Sequence, residues 1–308
     1  MSVYEKAAVA DMNSADAPLV SVCACTYKRA HIADTLRSVL AQQGVSVPFE
    51  IVIVDDDPER SAESMINTLA AETGAPIRYV FSGARNVSAA RNAALAAARG
   101  EWVAFIDDDE LAEPDWLARL LAVQQDSGAD IVKGYVRGVY PESAPDWVRR
   151  ADPFTRDYGA DGAPPPRLAS GNVLFRRSLV GAHGVRFDPA FGRSGGEDSD
   201  FFNRLRQAGA RAAASRTAIV NEIVPADRVT EAYLRARNRR QGQTDGRKAR
   251  AAGHGGGLGA SAIAALAVTW AHPLARIVHP ALGFKLFSKF WYSRGVIEGV
   301  GGRATEEM

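Results

Sequence analysis

An α/β fold, with a mostly parallel sheet flanked by helices and a helical C-terminal extension, is the class that this sequence predicts. Three observations carry it. Short apolar runs alternate with longer amphipathic ones, the apolar runs end in polar or acidic residues, and the chain beyond residue 225 turns basic. Strand and helix in alternation imply parallel strands joined by right-handed crossovers. Ligands of such a sheet collect beyond the carboxyl ends of its strands.

Leu19 to Cys25, Phe49 to Val54, Ile77 to Phe81 and Trp102 to Ile106 read as strands, short and rich in Val, Ile and Phe. Between them, Ile32 to Gln43 places Ile32, Leu36, Val39 and Leu40 on one helical face, and Ser88 to Ala98 forms an Ala-rich helix with Gly100 as its cap. Ile131 to Val139 is a further strand. The Pro-rich stretch through Pro141, Pro145, Pro153 and Pro164 to Pro166 reads as a lid, an acceptor-binding segment or a surface excursion. Order returns at Gly171 to Phe175. A helix near Glu197 then turns Phe201, Phe202, Leu205 and Ala208 inward and ends at Gly209.

The chain has 308 residues, 46% of them hydrophobic and 24% charged, as in a globular enzyme. Its net charge of +1 hides a division. From Asp227 onward there are 13 Lys or Arg against 6 Asp or Glu, +7, which leaves −6 for the residues before. An acidic body excludes general nucleic-acid binding and suits a metal site, while the basic tail suits an anionic surface. Cys23 and Cys25 share one strand face and are expected in the core. Met1 to Ala17 shows no basic stretch followed by an apolar one, so no signal peptide is expected and the location is cytoplasmic.

Three acidic clusters mark strand or helix ends. Asp107 to Asp109 follows the fourth strand, and three adjacent carboxylates repel unless a cation joins them. Mg²⁺ or Mn²⁺ takes one or two carboxylates and completes its shell with phosphate oxygens. The plainer reading is a solvated turn before a helix near Pro114. Asp55 to Asp57 ends the second strand and faces the same crevice, unless it only caps a helix with Pro58 at the first position. Gly195-Gly196-Glu197-Asp198-Ser199-Asp200 places acids at a helix N-terminus, where capping explains one or two of them.

Five stretches in order, VSVCACTYKR (Val20 to Arg29), IVIVDDD (Ile51 to Asp57), NVSAARN (Asn86 to Asn92), FIDDD (Phe105 to Asp109) and FDPAFGRSGGEDSDFF (Phe187 to Phe202), resemble the family 2 inverting glycosyltransferases of GT-A, Rossmann-like fold. The bacterial members that build exopolysaccharides such as succinoglycan are the most similar. The resemblance implies a catalytic domain over 18–225 and an extension over 226–308. It also implies residue roles. Thr26, Tyr27 and Arg29 line the nucleotide-sugar pocket, Asp56 with Asp55 accepts from the uracil ring, and Arg91 reaches the nucleotide. Asp107 and Asp109 match the D-x-D pattern, with Asp109 the chief metal ligand and Asp108 beside the ribose. Asp198 is the general base, with Glu197 and Asp200 in support.

The tail departs from that resemblance. Thr230 to Gln241 reads as a helix ending at Gly242, its Arg235, Arg237, Arg239 and Arg240 either solvated or touching the donor diphosphate or a pyrophosphate-linked lipid acceptor. The processive Q-x-x-R-W signature is absent, so single-sugar addition is expected. The charge-free run from Arg250 to Arg276 is broken by glycines and Pro273, which argues against a membrane span. Leu274 to Val300 mixes aromatic and basic residues and reads as an interfacial segment on anionic lipid at the inner face of the cytoplasmic membrane, or else as packing on the core. Two other functions stay open at this point: a nucleotidyltransferase, and a non-catalytic nucleotide or carbohydrate binder.

Overall fold

The computed structural model describes residues 19–192, 195–251 and 253–302. Met1 to Pro18, which include the Met1–Ala17 stretch expected to hold no signal peptide, and Arg193 and Ser194 of the fifth motif lie outside the described residues. Two compact units emerge: the described residues up to Arg137 with Thr155–Glu222, and Gly138–Phe154 with the described residues from Ile223 on.

The first unit is α/β. In chain order it holds β1 (Val20–Thr26), α1 (Ile32–Leu40), β2 (Phe49–Asp55), α2 (Glu63–Thr73), β3 (Ile77–Phe81), α3 (Val87–Ala97), β4 (Trp102–Phe105), β5 (Glu110–Ala112) and α4 (Trp116–Ser127). β6 (Ile131–Val139) follows, and after α5 (Asp146–Ala151), which belongs to the second unit, come β7 (Val173–Arg176), α6 (Ser178–His183), α7 (Glu197–Gln207) and β8 (Ala212–Ile223). The sheet order is β3-β2-β1-β4-β7-β6-β8-β5. β3, β2, β1 and β4 are parallel, as the alternation predicted. β7 runs antiparallel to β4 and to β6, and β5 pairs antiparallel with β8, so the sheet is mixed.

Period-2 alternation explains the two cores. Val20, Val22 and Ala24 of β1 face Ile32, Leu36 and Val39 of α1. Cys23 faces the other way, toward Ala90 and Ala94 of α3 and an aromatic cluster that anchors α7. In that cluster Phe187 and Phe201 stack with ring centroids 4.0 Å apart, and Phe175 meets Phe202 edge-on at 5.6 Å. Phe201, Phe202 and Leu205 form the inward face expected of this helix and fix the acidic residues at its start, whereas Ala208, expected inward, is exposed just past the last helical residue, Gln207.

Two local assignments change. Gly100 lies beyond the end of α3, and a Cβ there would sit 2.6 Å from the Ser21 nitrogen, so it serves a close backbone approach. Pro58 does not open a helix, since α2 begins five residues later at Glu63.

The second unit contains α5, α8 (Glu231–Ala251), α9 (Gly255–Thr269), α10 (His272–Val278) and α11 (Pro280–Val300). Gly242 does not stop α8. A Cβ there would meet the Tyr292 carbonyl oxygen of α11 at 2.0 Å, and Gly295 and Gly299 of α11 approach the α8 backbone as tightly. Small residues let the two helices touch, and that packing outweighs glycine's poor helix propensity. The core of this unit joins Val148, Phe154, Val229, Leu234, Phe284 and Phe287. No helix among the described residues is long and apolar enough to cross a membrane.

Candidate active site

Beyond the carboxyl ends of β1, β2 and β4 lies a cavity of about 350 Å³ lined by Cys25, Thr26, Tyr27, Arg29, Asp56, Val87, Ala90, Arg91 and Phe105 to Asp109. Eight of the residues singled out from sequence line it: Thr26, Tyr27, Arg29, Asp56, Arg91, Asp107, Asp108 and Asp109. Cys25, expected in the core, is half-buried and also lines it, and burial pushes its thiol up to about 12, which leaves it inert.

The floor is the second aspartate triplet. The Thr26 hydroxyl donates to Asp108 Oδ2 at 2.9 Å, and Arg29 Nη1 donates to Asp109 Oδ2 at 2.6 Å while standing 3.6 Å from Asp108 Oδ1. Arg91, a largely buried residue of α3, donates to Glu197 Oε1 at 2.5 Å and lies 3.8 Å from Asp107 Oδ1. One guanidinium thus bridges the triplet and the start of α7. Burial pushes the Asp108 carboxyl up to about 6 against the pull of Arg29 and Thr26. Asp107 is raised as well, burial outweighing Arg91.

The first triplet behaves differently. Asp55 is fully buried and accepts from the Asp57 and Ala62 N–H groups, both at 2.9 Å, and from the Tyr79 hydroxyl at 3.2 Å. It is not among the residues lining the cavity, and its hydrogen bonds hold the β2–α2 turn. Asp56 does line it, while accepting from the Ser82 hydroxyl and the Ala84 and Asn86 N–H groups.

At the head of α7, Asp198 Oδ1 accepts from the Ser199 N–H at 2.6 Å, and Gly196 precedes the helix at φ 91°. Asp200 accepts from Arg204 of the same helix, with contacts of 2.6 and 2.9 Å. Glu197 Oε2 is buried and unpaired among the described residues.

Several residues escaped the sequence reading. Glu110 is fully buried and accepts from the Asp107 N–H at 3.0 Å. Lys133 is fully buried, donates to the Gly171 and Asn172 carbonyls and lies 4.4 Å from the Tyr158 ring centre. Burial raises the Glu110 carboxyl and lowers the Lys133 ammonium. Arg156 ties this group together, 2.7 Å from Glu222 and 3.7 Å from Glu110. Gly171 is needed where it stands, because a Cβ would meet Asp107 Oδ2 at 2.5 Å. The signal available was a lysine between Val132 and Gly134, in the apolar first half of β6.

Among the described residues no three His, Cys, Asp or Glu side chains form a cluster able to hold a metal by themselves. The donor set is all oxygen, though, at the floor of an open cavity. That fits a hard cation which takes one or two carboxylates and shares the rest of its shell with phosphate and water.

The sequence pattern of glycosyl transferase family 2 matches residues 21–184. The succinoglycan biosynthesis protein ExoM of Rhizobium meliloti (strain 1021) is 38% identical over 244 residues, 77% of each chain. The glucosyl-dolichyl phosphate glucuronosyltransferase of Haloferax volcanii is 32% identical over 139 residues, 44% of this chain and 41% of that one. Among solved structures, S. aureus TarS 1-349 superposes with a TM-score of 0.53 at 18% identity, covering 72% of this chain and 64% of that one, and its complex with UDP-GlcNAc with a TM-score of 0.52 over 67% and 58%. These two superpositions span about three fifths of the TarS chain and speak to the GT-A fold alone. The α/β sheet that carries the acidic cavity at its strand ends is the architecture these superpositions share. The chain belongs to glycosyl transferase family 2, and the nucleotidyltransferase and non-catalytic readings are set aside.

Proposed function

We propose that this glycosyltransferase moves a single sugar, with inversion, from a UDP-sugar to a hydroxyl of a lipid-linked saccharide in surface-glycan assembly at the inner face of the cytoplasmic membrane. The observation that carries the reading is the Arg91 bridge, which ties the aspartate floor of the cavity to the helix start bearing Asp198. Donor and base are then organised by one side chain. The TarS complex contains UDP-GlcNAc, and the two relatives above are named for succinoglycan biosynthesis and for a dolichyl-phosphate-linked acceptor, which supports the donor and acceptor classes.

In this reading Thr26, Tyr27, Arg29, Asp56 and Arg91 surround the nucleotide, with Asp108 at the ribose. The acceptor oxygen bonds to the anomeric carbon as the bond to the diphosphate oxygen breaks, the electron pair leaving with the diphosphate. The acceptor proton passes to the Asp198 carboxylate. Mg²⁺ or Mn²⁺ held by Asp109 and Asp107 would neutralise the departing diphosphate. Glu197 receives Arg91 and so holds α7 in place.

Asp198→Asn keeps shape and hydrogen bonding but cannot take a proton. Turnover should fall about a hundred- to ten-thousandfold, while calorimetry shows UDP affinity close to that of the parent protein. Near-normal transfer by a well-folded variant would move the base elsewhere.

A further inference from the structure

Four large apolar side chains stand more exposed than any others described: Val268 at 73%, Trp270 at 67%, Leu274 at 65% and Ile263 at 61%, with Leu282 next at 49%. All five fall between residues 263 and 282, on α9, at the turn into α10, on α10 itself and at the start of α11. Clustered exposure of this kind marks an interaction surface rather than scattered surface residues.

The helix beneath the patch supports this. α9 contains Gly255, Gly256, Gly257 and Gly259, each weaker than alanine by roughly 1 kcal/mol in a helix interior. It packs on α8 and α11, while Ile263, Ala264, Ala267 and Val268 face outward. A helix so poor in propensity gains from an apolar environment on both sides.

Charge identifies the occupant. Residues 246–297 contain seven Lys or Arg and no Asp or Glu. Exposed Lys285 and Lys289 follow Leu282 at helical spacings of three and seven on one face of α11, and exposed Arg250 borders the charge-free run at its other end. An apolar patch with an aromatic anchor and a purely basic border matches an anionic bilayer surface. With no spanning helix among the described residues, the contact lies on the membrane plane.

We propose that the Ile263–Leu282 corner docks this protein on anionic lipid, Trp270 and Leu274 entering the headgroup boundary and the lysines meeting anionic headgroups. The contact sits earlier in the chain than the interfacial segment expected from sequence. Phe284, Phe287 and Val296 of that segment are buried.

Vesicles free of any saccharide acceptor test this independently of the sugar chemistry. The full chain should sediment with phosphatidylcholine vesicles containing phosphatidylglycerol at low salt, and much less with phosphatidylcholine alone. Trp270→Ser with Leu274→Ser should weaken binding about tenfold or more, leaving melting temperature and UDP affinity unchanged. If the double variant loses its melting transition, Trp270→Ser alone makes the same comparison. Lys285→Gln with Lys289→Gln should weaken binding at low salt and matter little at high salt. Absence of binding to anionic vesicles, undiminished binding by the serine variants, or a solution dimer that those variants split into monomers would each overturn the proposal.

Discussion

Asp55 to Asp57 and Asp107 to Asp109 spell the same three residues beyond two strands of one sheet, yet their partners differ in kind. Backbone N–H groups fixed by the turn hold most of the first triplet: those of Asp57 and Ala62 for Asp55, and those of Ala84 and Asn86 for Asp56. Side chains on other elements hold the second, namely Thr26, Arg29 and Arg91. A backbone donor cannot leave without unmaking the fold, whereas a guanidinium on a flexible stem can be exchanged for another cation. Carboxylates held by the backbone are fixed with the chain around them, and those held by side chains can exchange their partner.

The largest expected effect breaks the second triplet. With Asp109→Ala, the metal-dependent part of UDP affinity should vanish and transfer should fall on the order of a hundredfold or more, since a Lewis-acid cation contributes several kcal/mol. Melting temperature in EDTA should change little, because the Arg29 that binds this carboxylate is carried on a flexible stem beside an open cavity. Equal UDP affinity in parent and variant, with Mn²⁺ present, would remove Asp109 from the metal site.

Asp55→Ala should do the reverse. It strands two buried N–H groups and a tyrosine hydroxyl, each unsatisfied buried donor costing about 1–3 kcal/mol, for a loss of about 4 kcal/mol in urea unfolding. The folded fraction should keep its affinity for UDP and Mn²⁺. Weakened metal-dependent binding at constant stability would place Asp55 back in the site.

The contrast between the triplets was not legible in the sequence, and the reason is geometric. Adjacent strand residues point to opposite faces, so a string of three aspartates does not say which one meets the cavity. The partners lie far off as well: Arg29 and Asp109 are 80 positions apart, Arg91 and Glu197 106. What was legible were the features with a local period. The four parallel strands, α1, and the inward Phe201, Phe202 and Leu205 of α7 all follow from spacing alone. The antiparallel β5 and β8 went unread, being set by partners elsewhere in the sheet, as did the run of α8 through Gly242, which α11 permits.

The smallest expected effect sharpens the comparison without any ligand. Burial raises the Asp108 carboxyl from 3.8 to about 6, so the folded protein binds this proton more tightly than the unfolded chain does. The resulting stabilisation is fully present below about pH 4, declines as pH rises, and is gone above about pH 6. Near neutrality the ionised Asp108 is thus a net burden on the metal-free fold, of no more than about 3 kcal/mol. Asp108→Asn removes it while keeping an acceptor for the Thr26 hydroxyl. In EDTA at about pH 7.5 the variant should therefore melt at a higher temperature than the parent, and the difference should shrink as pH falls toward about 4. Adding Mn²⁺ with UDP should reduce or reverse the advantage, because a cation on the triplet turns the burdensome charge into a favourable one. A difference that does not vary with pH, or an Asp108→Asn protein less stable than the parent in EDTA, would mean that the second triplet is as fully compensated as the first. The distinction between fixed and exchangeable partners would then fail at its most buried point of contact with the cavity.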